Sequence, residues 1–253
     1  MVRATQWDAA VKRPREAVAS VGVDGVGTLA SAVYVKIRTD ITRGALLPGA
    51  ALRIRDLCEH YRVGASPVRE ALNRLASEAL VLQVDQRGFH VAPVSREALV
   101  ELTDTRCRLV EIAQRDAIAS GDRVWEESVV LACHRLCRTS PYSAVDPVVL
   151  NVEWEPLHRA FHSALIAACP SRWLKSLYEY LSDQAERYRS LARLLDDGPN
   201  RKRDEEHRGI MEATIARDAD RAVGLMKKHF WTTTDILLAR WGELTSGIST
   251  EDA

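Results

Sequence analysis

From Arg96 onward the apolar residues return every three to four positions almost without interruption, as expected of helices that each bury one face. That period predicts helices near 96–119, 123–138, 152–168, 172–195, 204–216 and 219–240. The breaks fall at Gly121, between Pro141 and Pro147, at Pro170, in the DDGPN run 196–200 and at Asp218, all positions whose chemistry interrupts a helix. The intervening segments are short, so the helices are expected to pack as one antiparallel bundle. No internal repeat is apparent.

Before Arg96 the pattern is more varied. A helix is expected from about Leu29 to Arg43, with Val33, Ile37 and Ile41 spaced by four on one face, and GALLPGA ends it. Arg53 to Tyr61 reads as a second, shorter helix with Ile54, Leu57, Cys58 and Tyr61 along one side. A third is expected to open with Ser66 as N-cap and Pro67 at the first helical position, where a missing N–H costs nothing. Its inner stripe is Val68, Ala71, Leu72 and Leu75, while Arg69 and Asn73 share another face. VLQV and FHV then alternate around a turn containing Gly88, two strands of a hairpin. The fold class is therefore mainly α: an N-terminal winged helix-turn-helix over 28–95, followed by an all-helical antiparallel bundle over 96–245. Residues 1–27, ending in VGVDGVG, and 246–253 read as tails, with Lys12, Arg13 and Arg15 as solvated charges.

Composition fits two domains. The 253 residues are 46% hydrophobic, sufficient for a core in each half, and the low aromatic content of 6% favours helices over a sandwich. Formal charge is zero, but residues 1–95 carry 13 Lys and Arg against 9 Asp and Glu, and the remainder 22 against 26. The sign of that asymmetry suits a front half that meets nucleic acid. The five cysteines are odd in number and scattered, which points to reduced thiols in a cytoplasmic protein. Cys133 and Cys137 share a helix face, yet no second pair of soft ligands lies near them in sequence, so buried thiols are the expected state. Neither a signal-like segment nor an apolar run of membrane-spanning length is present, and no membrane partner is expected.

The histidines carry the most specific chemistry. His158 and His162 stand one helical turn apart, which sets their Cβ atoms about 5–6 Å from each other on one face. His207 and His229 fall in two later helices, so three helices can bring four imidazoles to one buried divalent metal ion. His60, His90 and His134 are read as ordinary surface or core residues.

Residues 29–94, which carry IRTDITRGALLPGAALRI, PVREALNRL and a glycine-bearing wing in that order, resemble the N-terminal domain of the GntR family of bacterial transcription factors. The resemblance implies a double-stranded operator DNA partner. Arg55 of the second helix, Arg69 of PVRE and the Arg87–Gly88 wing tip would contact it, with Ser66 on a phosphate and Asn73 beside Arg69. Guanidinium groups suit guanine edges and phosphates, and glycine allows close backbone approach. Ala65 stands where many relatives place a base-reading Arg, so the operator sequence is expected to differ. Glu70 and Arg74 are read as an i,i+4 ion pair.

The second half resembles the all-helical FCD effector domain of the FadR-like branch of that family. That domain commonly binds a divalent metal through Asp-x-x-x-His and two later histidines. His162, His207 and His229 match, and His158 stands where the Asp is usual. Four neutral imidazoles leave the ion's charge uncompensated, which favours Zn²⁺ or Ni²⁺ over harder ions and attracts an anion. The stretch WEPLHRAFHSALIAACPSRWL, followed by DQAERYR, resembles a sub-branch that includes carbon-starvation regulators. The resemblance implies a small carboxylate effector. Arg106 matches a family arginine near the ligand cavity, with Arg108 as the alternative because the spacing from Arg106 to Glu111 is one longer than in the family. Arg189 and Arg187 are further candidates, at least one of them expected on a solvated face. Tyr188 and Trp154 are expected in the core. The expected function is a homodimeric, DNA-binding repressor that is not an enzyme. The alternative is a metal-dependent hydrolase or lyase carrying a winged helix, weakened by the absence of HExxH, of a Ser/His/Asp grouping and of a phosphate-cradling glycine loop. A third reading makes the metal purely structural.

Overall fold

The computed structural model describes residues 27–42, 44–142, 151, 153–193 and 202–242. The chain divides into two compact units between Pro93 and Val94.

The first unit runs α1 (Leu29–Thr42), β1 (Ala51–Leu52), α2 (Ile54–Tyr61), α3 (Ala65–Ser77), β2 (Val81–Val84) and β3 (Gly88–Val91). Its core joins Val33, Ile37 and Ile41 of α1 to Leu57 and Tyr61 of α2, Val68, Ala71, Leu72 and Leu75 of α3, and Phe89 of the sheet. Each such aliphatic side chain, fully buried, stabilises the unit by about 1.5–3 kcal/mol before the cost of ordering it. The strands pair antiparallel in the order β1-β3-β2, with Gln83 opposite Phe89 and Leu52 opposite Phe89 on the other side.

Three expectations need correction here. The helix α3 begins at Ala65 with Gly64 as its N-cap and no side-chain cap, so Ser66 lies inside the first turn and Pro67 two positions later than the helix start. Proline is still tolerated there, because the first four N–H groups of a helix lack intrahelical acceptors. The sheet has a third strand, β1, whose two residues are too short to show an alternating pattern. Arg74 does not bridge to Glu70: its guanidinium lies 4.1 Å above the Tyr34 ring and its Nη1 donates to Ser31 Oγ at 3.3 Å. The Tyr34 hydroxyl in turn donates to Glu78, so Arg74 ties α3 to α1 rather than to itself.

The second unit consists of α4 (Arg96–Ser120), α5 (Arg123–Cys137), α6 (Trp154–Ile166), α7 (Arg172–Arg193), α8 (Arg203–Ile215) and α9 (Ala219–Ala239). Side-chain caps start four of them: Ser95 accepts from Ala98 N, Asp122 from Trp125 N, Ser171 from Leu174 N and Asp218 from Arg221 N. Each is worth about 1 kcal/mol. The α4–α5 corner turns at Gly121, where an added Cβ would run into the Trp125 ring, and Trp125 Nε1 donates to Ala164 O at 2.8 Å. Val110, Ala113, Ala117, Val129, Leu136, Phe161, Leu165, Ile210, Ala213 and Met226 fill the centre. Around it α4 packs on α9, α7 and α6, while α5 packs on α6 and α8. The Pro141–Pro147 break lies mostly, and the DDGPN break entirely, outside the described residues. Among those described, no helix is long and apolar enough to cross a membrane.

Candidate metal centre and DNA-reading face

His158 and His162 of α6, His207 of α8 and His229 of α9 converge inside the second unit, none more than 6% exposed. One ring nitrogen from each can be chosen so that all four lie within 4.8 Å of one another. His158 Nε2 and His162 Nε2 are 3.1 Å apart. Imidazole nitrogens bound to one tetrahedral zinc at about 2.0–2.1 Å stand about 3.4 Å apart. The pair His158–His162 is already at that spacing, and the widest separation closes by roughly 1.4 Å when the rings draw in on an ion. Trp154 stacks on His158 with ring centroids 4.6 Å apart, and Phe161 meets His162 and His207 edge-on, so aromatic walls hold the rings in place.

Burial and the neighbouring imidazoles push the His158 and His162 pKa values well below the usual imidazole range. Both are held neutral, the form that ligates metal. Their Nδ1 atoms are buried and have no hydrogen-bond partner among the described residues. His229 differs, because its Nδ1 meets Glu206 Oε2 at 2.6 Å. A carboxylate at Nδ1 fixes the tautomer and turns Nε2 towards the cluster, the second-sphere arrangement found around metal-bound histidines. The donor set thus fits a divalent ion held by His158, His162, His207 and His229. Glu206 was not anticipated. The only sequence signal for it is a carboxylate adjacent to His207, and helical geometry turns neighbouring residues to different faces.

Beside the imidazoles lies a narrow cavity with about 20 Å³ of free space, lined by Arg106, His158, Tyr188, Arg189, His229 and Phe230 among others. That is room for about one water molecule. The Arg106 guanidinium sits 3.8 Å over the Phe230 ring, and its Nε is buried without a partner among the described residues. Burial, with Arg189 nearby, lowers the Arg106 pKa to about 10, so the group is still cationic at neutral pH. Arg189 Nη2 bonds Glu155 Oε1 at 2.8 Å. Two guanidinium groups, those of Arg106 and Arg189, thus border the cavity, with the carboxylate of Glu155 on Arg189 and that of Glu206 on His229.

Arg108 lies elsewhere, exposed and paired with Asp104 at 2.7 Å. Neither Arg187 nor Arg189 occupies a solvated face: Arg187 is buried and Arg189 is ion-paired in the cavity wall. Tyr188 and Trp154 are buried as expected, and both border the site. His60, His90 and His134 take no part in the cluster.

In the first unit, Ser66, Arg69 and Asn73 are exposed and line an open groove along α3 together with Glu70, Arg74 and Ser77. Arg55 is exposed on α2, with Asp56 3.4 Å from its Nε. Arg87 and Gly88 stand at the exposed hairpin end, where Gln86 and Gly88 have φ of 61° and 79°. Glycine adopts that conformation without strain, so the strand can leave the turn with its backbone open to close approach. Three separate elements of this unit thus present unburied arginines: α2, α3 and the wing.

Comparison with known proteins adds independent findings. The profile described as "Bacterial regulatory proteins, gntR family" matches residues 29–91, and that of the FCD domain matches 101–231. The chain is 38% identical over 217 residues to the uncharacterized HTH-type transcriptional regulator BphR of Paraburkholderia xenovorans strain LB400, covering 86% of this chain and 88% of the relative. It is 34% identical to the HTH-type transcriptional repressor GlaR of Escherichia coli strain K12, covering 81% and 93%. Its fold is similar to that of McbR/YncC of E. coli, with a TM-score of 0.70 at 20% identity, covering 85% and 100%.

Proposed function

The chain belongs to the GntR family of bacterial regulatory proteins, in the branch that carries an FCD domain, and from that premise we propose a metal-dependent, ligand-responsive repressor. It is a transcriptional regulator and not an enzyme, as the family and its relatives are regulators, which sets aside the hydrolase alternative. The observation that carries the finer reading is the convergence of four buried imidazoles beside two cavity arginines. His158, His162, His207 and His229 hold a divalent ion, with four nitrogen donors and no thiolate or carboxylate favouring Zn²⁺ or Ni²⁺. Such an ion, when bound, supplies positive charge and open coordination positions for an anionic ligand. Arg106 and Arg189 orient a small carboxylate from the other side.

The free space is smaller than any such ligand, so binding requires the Arg106 side chain or the surrounding helices to move. That displacement is the signal. In a homodimer the two recognition helices read half-sites about 34 Å apart, and a shift of a few ångströms weakens both contacts together. The reading as a repressor, rather than an activator, draws on the likeness to GlaR. On the DNA, Arg55, Arg69, Asn73 and Arg87 contact base edges and phosphates, with Ser66 and Gly88 close to the backbone.

Two measurements test it. Elemental analysis is expected to find zinc or nickel in the purified protein and its loss from a His207→Ala, His229→Ala double variant; equal content in both removes the metal assignment. A DNA-shift assay on the upstream region of its own locus is expected to show binding that small carboxylates weaken. Binding that no carboxylate alters, with metal present, leaves the ion a structural role only.

A further inference from the structure

The His-lined cluster is not the only pairing of metal-binding side chains. Cys133 and Cys137 lie one turn apart on α5, with their sulfur atoms 3.9 Å from each other. Cys133 is buried and Cys137 partly exposed. The Cys137 thiol also reaches Asp204 O of α8 at 3.9 Å. The other three cysteines lie apart from this pair.

A disulfide is an unsuitable use of this pair. It requires Cβ atoms about 3.5–4.5 Å apart and an S–S bond of about 2.05 Å, whereas residues four apart on a helix hold their Cβ atoms at about 5–6 Å. Closing that gap would unwind α5. A single atom placed between the two sulfurs meets no such obstacle. With metal–sulfur bonds of about 2.3 Å, a sulfur separation of 3.9 Å subtends an angle of about 115° at the bridging atom, between tetrahedral and trigonal. We propose that Cys133 and Cys137 form a second binding site, a two-thiolate chelate for a thiophilic centre, either a soft divalent cation or a trivalent metalloid.

The chemistry balances without an oxidant. A divalent cation forms two sulfur–metal bonds as two S–H bonds break and two protons pass to solvent. An organic arsenic(III) oxide forms two As–S bonds, and its oxygen leaves as water with the two thiol protons. The incoming centre enters from the Cys137 side, the open one, and its remaining positions face α8. Both thiols have raised pKa values through burial, Cys133 up to about 12 with the neighbouring Cys137 thiol adding to the shift, and Cys137 with Asp204 adding to it. They therefore rest protonated and resist casual oxidation, which requires thiolate. The site adjoins the first turn of α8, which also carries Glu206 and His207. A centre bound there meets the same helix end that orients the histidine cluster.

Phenylarsine oxide and cadmium ion provide the test, each with full-length protein. Phenylarsine oxide is expected to give one adduct per chain by intact mass, with loss of one water, and to protect Cys133 and Cys137 together from alkylation in peptide maps. Cadmium is expected to produce a sulfur-to-metal charge-transfer band in the ultraviolet, which imidazole ligation does not give. Cys137→Ala, at the partly exposed position, and Cys133→Ala each abolish both signals, and the former keeps the helical circular dichroism of the wild type. A response to the arsenical alone identifies a metalloid site, and to cadmium alone a soft-cation site. Silence in both arms overturns the proposal, as does an adduct or band that survives in Cys137→Ala.

Discussion

Glu206 decides how His229 is used, although nothing in the spacing of the histidines pointed to it. Its carboxylate meets Nδ1 of His229 across two helices, so removing its charge frees the ring to turn. Glu206→Gln is expected to lower metal affinity by roughly 10–100-fold, measured by competition with a coloured chelator; unchanged affinity would make the contact incidental. Proton linkage acts on the same rings. His158 and His162 are held neutral in the folded chain, while in the unfolded chain they titrate near the ordinary value of about 6.5. Below that value the unfolded state binds more protons, so stability is complete above it and falls as pH drops. The slope is up to about 1.4 kcal/mol per pH unit for each ring. Urea midpoints of metal-free protein should hold level above about pH 7 and decline towards pH 5, and a level profile throughout would contradict the neutral assignment. The i,i+4 pair His158–His162 was readable because both residues sit on one helix face. The choice between Arg106 and Arg108 was not, since a two-residue step moves a side chain from the cavity to solvent and sequence alone does not fix which phase faces inward.

At the scale of elements, the inner stripes of α1, α2 and α3 follow the expected periods, but helix ends do not. Ser66 is a good capping residue, yet α3 starts before it, because packing of Val68 and Leu72 sets the helix axis and Gly64 can serve as the turn. Arg69 points out from α3 and has no task in the core. Arg69→Ala should cost about 1–3 kcal/mol of operator discrimination, read as a roughly tenfold to hundredfold weaker shift with an unchanged melting temperature. Arg74→Ala, which cuts the contact to Tyr34, should instead lower the melting temperature of the first unit. Gly121→Ala tests the α4–α5 corner: the added methyl collides with Trp125, and overpacking of that kind costs about 1–3 kcal/mol. A denaturation midpoint equal to wild type would show that the indole has room to retreat.

Across the whole molecule, separate hydrophobic clusters serve the two units, one in the first and two in the second among the described residues, so each unit can unfold in its own transition. Chelation should lower only the transition that contains His207 and His229. The expected drop is about 2.7 kcal/mol for an ion present at a hundred times its dissociation constant; calorimetry showing both transitions shifted equally would mean the ion acts elsewhere. What the chain's order of residues determined by itself is the class of each segment: helical period, hairpin, glycine corner and the four imidazoles, all encoded by local spacing and backbone preference. Which atoms face one another was decided only on folding. Glu206 reaching His229, Arg106 lying over Phe230, Arg74 turning to Tyr34 and Cys137 touching the start of α8 each join residues distant in sequence. Such contacts depend on how helices cross, a property of side-chain packing between elements that no local pattern contains.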